Sequence, residues 1–182
     1  MPTDASNARP DDRTIRENVV TEPADLEALI TQLEEQQEQL QFTRFTNDDA
    51  WDLGSLLVTV AQARGLVLTV DIRRHGHQLF HAALPGTTPD NDTWIERKTR
   101  VVNRFGDSSY LVGRRLALRG KELDEASGVE PILHAAHGGC FPIIVRDVGV
   151  VGTVTVSGLP QAEDHALVVE VVGTFLGSQP AP

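Results

Sequence analysis

The sequence predicts an α+β fold, a single domain in which one antiparallel sheet is flanked by helices. Three observations carry this expectation. LVLTVDIR (66–73) and QLFHAAL (78–84) are strand-like segments joined through the short turn RHGHQ, and read as one hairpin. CFPIIVR and VGVVGTVTVSG, around the tight turn RDVG, read as a second. Helix-patterned segments stand before, between and after the hairpins, which argues against a doubly wound parallel sheet.

Residues 1–23 are polar and aperiodic, and are expected to form a flexible arm ahead of a domain spanning 24–177. In PADLEALITQLEEQQEQL, Leu26, Leu29, Ile30, Leu33 and Leu40 fall on a broadly helical stripe that Pro23 opens. LQFTRF (40–45) reads as a short strand. TNDDAWDLGSLLVTVAQARG is a strong helix with Thr46 or Asn47 as its cap, Asp48 and Asp49 near its positive end, and Gly65 closing it. Trp51, Leu57 and Val58 fall near one face, and Leu53, Leu56, Val60 and Ala61 broaden it. In the first hairpin Leu66, Leu68, Val70 and Ile72 point one way, and Thr69, Asp71 and Arg73 the other. That alternation predicts one better-buried face.

Thr88 is expected to cap the next helix, with Pro89 at its first position and Asp90 in its first turn. Trp94, Ile95, the aliphatic stem of Lys98, Val101, Val102 and Phe105 then form the clearest 3.6-residue stripe in the chain. Arg97, Arg100 and Arg104 lie opposite and read as a solvated face. DSSYLVGRRLALRG is a further helix, capped by Asp107 or Ser108 and ended by Gly120. Residues 121–139 read as a loop with one helical turn. Pro142 has no amide donor, so its strand belongs at a sheet edge. The last helix starts at Pro160 and runs to about Leu176, before a frayed tail over 178–182.

The formal net charge of −10 argues against a phosphate-tracking nucleic-acid binder and against electrostatic attachment to anionic membranes. No apolar run approaches the roughly 20 residues that span a bilayer. A single cysteine forms no internal disulfide, which points to a reducing, cytoplasmic setting.

The chemical candidates each face a plainer reading. His75 and His77 bracket a turn and need not converge, and no obvious ligand set completes them, so no metal site is assigned. Cys140 follows His137 by three residues, but that spacing in a glycine loop does not create contact. A small buried plug at a strand start is the favoured reading. Gly138 and Gly139 suit either an anion-binding nest or, preferably, a tight strand entry. Asp164 and His165 are helix neighbours whose side chains point apart, so their partners must lie elsewhere. GxGxxG, Walker, GxSxG and CxxC signatures do not occur.

LPGTTPDNDTWIERK, RFGDSSY, AAHGGCFPI and VTVSGLPQAEDH, in that order, resemble the uncharacterised branch of the haem-degrading-domain family, from about residue 30 to 176. The motifs are PG-x3-DN-x2-W, FG-x-SSY, GG-x-FPI and VSGL-x3-EDH. The resemblance implies a profilin-like fold, homo-oligomers built from dimers, and haem as a cofactor among the wider relatives, which include bacterial haem-binding proteins and proteins encoded near glycolate-utilisation enzymes. Glycine or serine is usual where Cys140 stands, which weakens any mechanism needing its sulfur. The leading expectation is a small-ligand-binding protein for haem or another flat, partly anionic molecule, with binding or degradation of haem as the chemistry. Its pocket would use His137, Gly138 and Gly139, with Asn91, Lys98, Ser108 and His165 as neighbours. In the haem version His137 or His165 is the axial ligand and Lys98 pairs with a propionate. The alternative is an assembly or partner-binding module whose motifs maintain fold and oligomer, with Trp94 at an interface. An enzyme acting on a small metabolite comes third, because the sequence fixes no paired acid/base set.

Overall fold

Both hairpins form, and they join into one sheet. β1 (Thr69–Arg74) and β2 (His77–Ala83) make the first, β3 (Cys140–Val145) and β4 (Gly149–Ser157) the second. The computed structural model describes residues 23–123 and 128–178, so residues 1–22 of the expected arm and most of the frayed tail lie outside the described residues. The strand order is β2-β1-β4-β3 with every neighbour antiparallel. β3 is therefore an edge strand, as Pro142 requires. The helices are α1 (Pro23–Gln39), α2 (Asn47–Ala63), α3 (Pro89–Phe105), α4 (Ser109–Leu118) and α5 (Gln161–Ser178), with one 3-10 turn at Pro131–Leu133.

The expectation of one better-buried face in the first hairpin is corrected: β1 is buried on both sides. Leu68, Val70 and Ile72 join Val154, Val156 and Phe141 under α2 and α5, in a core with Leu53, Leu57, Val168 and Val172. On the other face Thr69 and Asp71 are equally buried, because α3 lies across it. Several polar side chains there bond to one another, while the Thr69 and Thr153 hydroxyls have no partner among the described residues. Asp71 accepts from Arg73 at 2.7 Å and from Gln78, and the Thr155 hydroxyl meets that of Thr99 at 3.4 Å.

Two further expectations change. LQFTRF forms no strand; Phe42 makes a single parallel bridge to Val145. Phe42 and Phe45 instead turn their rings into the core, 5.2 Å apart edge to face, before Thr46 caps α2. Trp51 is 64% exposed, since α2 buries the arc through Ala50, Leu53, Leu57 and Ala61. Its indole stands edge-on to Phe80 at 5.9 Å.

α1 and α4 pack through Ile30, Leu33, Tyr110 and Leu111. A buried glutamine completes this contact. Gln37 accepts from the Ser108 amide at 2.6 Å and donates to Asp107 at 3.0 Å, serving the start of α4 from another helix. Gln37→Ala strands a buried amide and should lower stability by about 2 kcal/mol in urea unfolding; an unchanged midpoint contradicts this role.

Candidate functional site

α3 is the spine of the site. At its start the Thr88 amide donates to Asn91 Oδ1 at 2.9 Å, and Asn91 Nδ2 donates to the Ser157 carbonyl at 3.0 Å. Seven residues on, Lys98 lies on the same side of the helix and reaches the sheet. The expectation that only its stem is buried is corrected, because the whole side chain is inside and the residue is 3% exposed. Its ammonium donates to Asp164 Oδ2 at 2.8 Å and to the Val156 carbonyl at 3.1 Å. Asp164, at the start of α5, also accepts from the Leu159 amide at 3.1 Å. Burial raises the Asp164 carboxyl, while Lys98 and the Leu159 and Gly158 amides pull it back.

The glycine pair sits directly against this ion pair. Gly139 adopts φ +115°, and a β-carbon there would come 2.6 Å from the Val156 carbonyl oxygen and 2.7 Å from Lys98 Nζ. Only glycine permits that approach. Gly138 is pressed beneath the Gln161 carbonyl in the same way. Both glycines are buried, and the Gly139 carbonyl accepts from the Val156 amide at 2.8 Å.

Cys140 follows as the first residue of β3, fully buried, its thiol pushed up to about 12 by burial. Its sulfur accepts from the Thr155 hydroxyl at 3.0 Å. Ser108 Oγ caps α4 by accepting from the Leu111 amide at 3.2 Å, and Ser109 Oγ brackets the backbone of Cys140.

His165 points away from Asp164, as helix geometry demands. Its Nε2 meets Gln36 Oε1 at 2.9 Å, and its ring lies 5.1 Å from Tyr110 and 6.1 Å from Phe141. Burial lowers its pKa to about 4, so the imidazole is neutral at pH 7. Its Nδ1 has no partner among the described residues.

Of the seven residues singled out in the sequence, Asn91, Lys98, Ser108, Gly138, Gly139 and His165 thus hold elements together. His137 alone lines an open cleft. That cleft, about 490 Å³, lies between α3, α4 and residues 131–137. Arg97, Arg114, Lys121, His134 and His137 line it, together with the Glu122 carboxylate. Leu116, Ala117, Pro131 and Ala135 give it apolar walls. The Arg97 guanidinium lies 4.6 Å from the Trp94 ring, and that of Arg114 lies 5.0 Å from the Tyr110 ring. The His137 ring is 5.4 Å from Trp94.

Sequence reasoning missed Arg97 and Arg114 as cleft residues. Trp94, one helical turn before Arg97, was the available signal. Tyr110, one turn before Arg114, was the same signal, but that residues 131–137 close on both arginines comes only through the fold.

A four-stranded antiparallel sheet clasped by helices defines the profilin-like class of α+β domain, here carrying a cationic cleft. The chain belongs to the HbpS-like haem degrading protein family, whose model matches residues 45–173. A UPF0303 protein of Streptomyces coelicolor is 60% identical over 148 residues, covering 81% of this chain and 94% of that protein. One from Edwardsiella ictaluri is 48% identical over 151 residues, covering 83% and 96%. Among solved structures, that of the Ybr137w protein aligns with a TM-score of 0.75 at 30% identity, covering 87% of this chain and 96% of that one. A PduOC–heme complex shares the fold at TM-score 0.60 and 17% identity, covering 71% and 93%. Among the described residues no helix is long and apolar enough to cross a membrane.

The His165 environment sets a pH dependence. Its folded pKa of about 4 lies below the ordinary 6.5, so the unfolded chain binds the proton more tightly. The stability this residue contributes is present above pH 6.5 and lost as pH falls toward 4, by about 3 kcal/mol in all. Denaturant midpoints measured across that window should fall with acidification, and less steeply in His165→Gln; identical slopes contradict the assignment.

Proposed function

We propose that this chain binds a flat, partly anionic small molecule in the cleft between α3, α4 and residues 131–137, with haem the candidate its family offers. The observation that carries this reading is the cleft itself. In a chain of net charge −10 it gathers three cations and two imidazoles on one concave surface. Its volume of about 490 Å³ falls in the range of small-molecule sites.

The donor set fits haem at the cleft and not behind it. His137 or His134 can offer an imidazole to iron, and Arg97, Arg114 and Lys121 suit its carboxylates. His165 is enclosed by Tyr110 and Phe141, and Lys98 is committed to Asp164, so both are assigned to the scaffold. When bound, haem supplies an iron centre whose redox chemistry is its own. The chain's part is to orient the ring and hold its acidic groups. We further propose a cytoplasmic setting and assembly into homo-oligomers built from dimers.

The motif residues that brace the scaffold favour a second reading, an assembly module whose motifs maintain fold and oligomer. Titrating haem into the purified protein separates the two. The cleft reading expects a saturable Soret shift, weakened about 10-fold or more in His137→Ala or His134→Ala. No saturable shift, or one untouched in both variants, overturns the haem assignment. Light scattering on the same samples reads the oligomer directly.

A further inference from the structure

We infer that the cleft recognises its ligand by charge, as a small organic dianion held between Arg97 on α3 and Arg114 on α4, with no requirement for iron. This rests on the cleft being the binding site, and is independent of the choice of haem as its occupant.

The two arginines differ from their neighbours. Arg64, Arg73, Arg100 and Arg115 each have a carboxylate within ion-pair distance. Among the described residues Arg97 and Arg114 have none, a state shared with Arg44, Arg74, Arg104, Arg119 and Arg146, so it is burial and stacking at the cleft that set the two apart. The Nε atoms of both are buried without a hydrogen-bond partner, and Arg97 Nη2 makes only a long 3.5 Å contact to the His134 carbonyl. An aromatic ring supports each guanidinium instead. Stacking occupies a planar face and leaves the N–H edge for an anion, the geometry that matches carboxylate or phosphate in two-point contact.

Two such groups on different helices ask for two anionic groups on one ligand. A monoanion satisfies one arginine and leaves the other partly desolvated and unpaired. Lys121 adds a third positive charge, and Glu122 is the one carboxylate among the described residues that line the cleft. Ala117 and Pro131 line the same cleft and offer apolar wall, which suits a hydrocarbon body.

Calorimetric titration of the full chain tests this with phthalate, a flat dicarboxylate, benzoate as its monoanionic counterpart, and iron-free protoporphyrin. Phthalate and the porphyrin should bind saturably, benzoate about 10-fold or more weakly than phthalate, and added salt should weaken all three. Arg97→Gln and Arg114→Gln should each weaken phthalate about 10-fold, Arg97→Lys less, and Arg64→Gln not at all. Equal affinity for phthalate and benzoate, no saturable phthalate binding, or indifference to both glutamine variants overturns the inference. The phthalate–benzoate contrast needs no variant, so a poorly folded substitution does not blunt the test. Phthalate binding without a histidine-dependent Soret shift sinks the haem assignment and leaves the dianion site standing. A Soret shift without phthalate binding does the reverse.

Discussion

Lys98 and Asp164 face each other at 2.8 Å inside the protein, one on α3 and the other on α5, and the surrounding backbone is arranged to make that burial tolerable. Removing two charges from water costs several kcal/mol per ion, recovered only when geometry and supporting hydrogen bonds are good. The Val156 carbonyl and the Leu159 amide supply that support, so the chain must leave β4 and enter α5 at this point. Gly139 must lack a β-carbon for the β3 entry to pass the ammonium. Asn91 adds a neutral bond from α3 to the last residue of β4.

This constraint carries over to the cleft. Successive residues on a helix are rotated by about 100°. With Lys98 drawn inward to Asp164, Arg97 is turned toward α4 and residues 131–137, and Trp94 one turn earlier lies beneath it. The Ala135 amide donates to the Arg97 carbonyl at 3.1 Å, pinning the far wall of the cleft to the same helix. Buried pair and open cleft are two sides of one helix, which is how the motif residues position the cleft without lining it.

Local chemistry was legible in the sequence, and long-range chemistry was not. Thr46 and Ser108 as helix caps, Gly65 and Gly120 as helix ends, and Pro142 as an edge-strand marker all follow from a few neighbouring residues. Lys98 read as a snorkelling side chain because its partner lies 66 positions away. Gln37 lies outside the apolar stripe of α1, and the amide it serves is 71 positions on. Trp51 was placed on a buried face because hydrophobicity alone does not say where the neighbouring layer ends. Family motifs marked the residues around the ion pair, and from sequence those positions read as a pocket. In the structure most of them brace the elements around the cleft.

A double-mutant cycle on Lys98→Met and Asp164→Asn, followed by chemical denaturation, tests the central claim most directly. Each single change leaves an uncompensated buried group, and should cost about 3–5 kcal/mol where Asp164→Asn strands the Lys98 ammonium and somewhat less where Lys98→Met strands the Asp164 carboxylate. The double variant should be more stable than the sum of the two losses allows, with a coupling of about 2 kcal/mol or more. Losses that simply add, to within about 0.5 kcal/mol, would contradict the pair as the element on which the fold and its cleft depend.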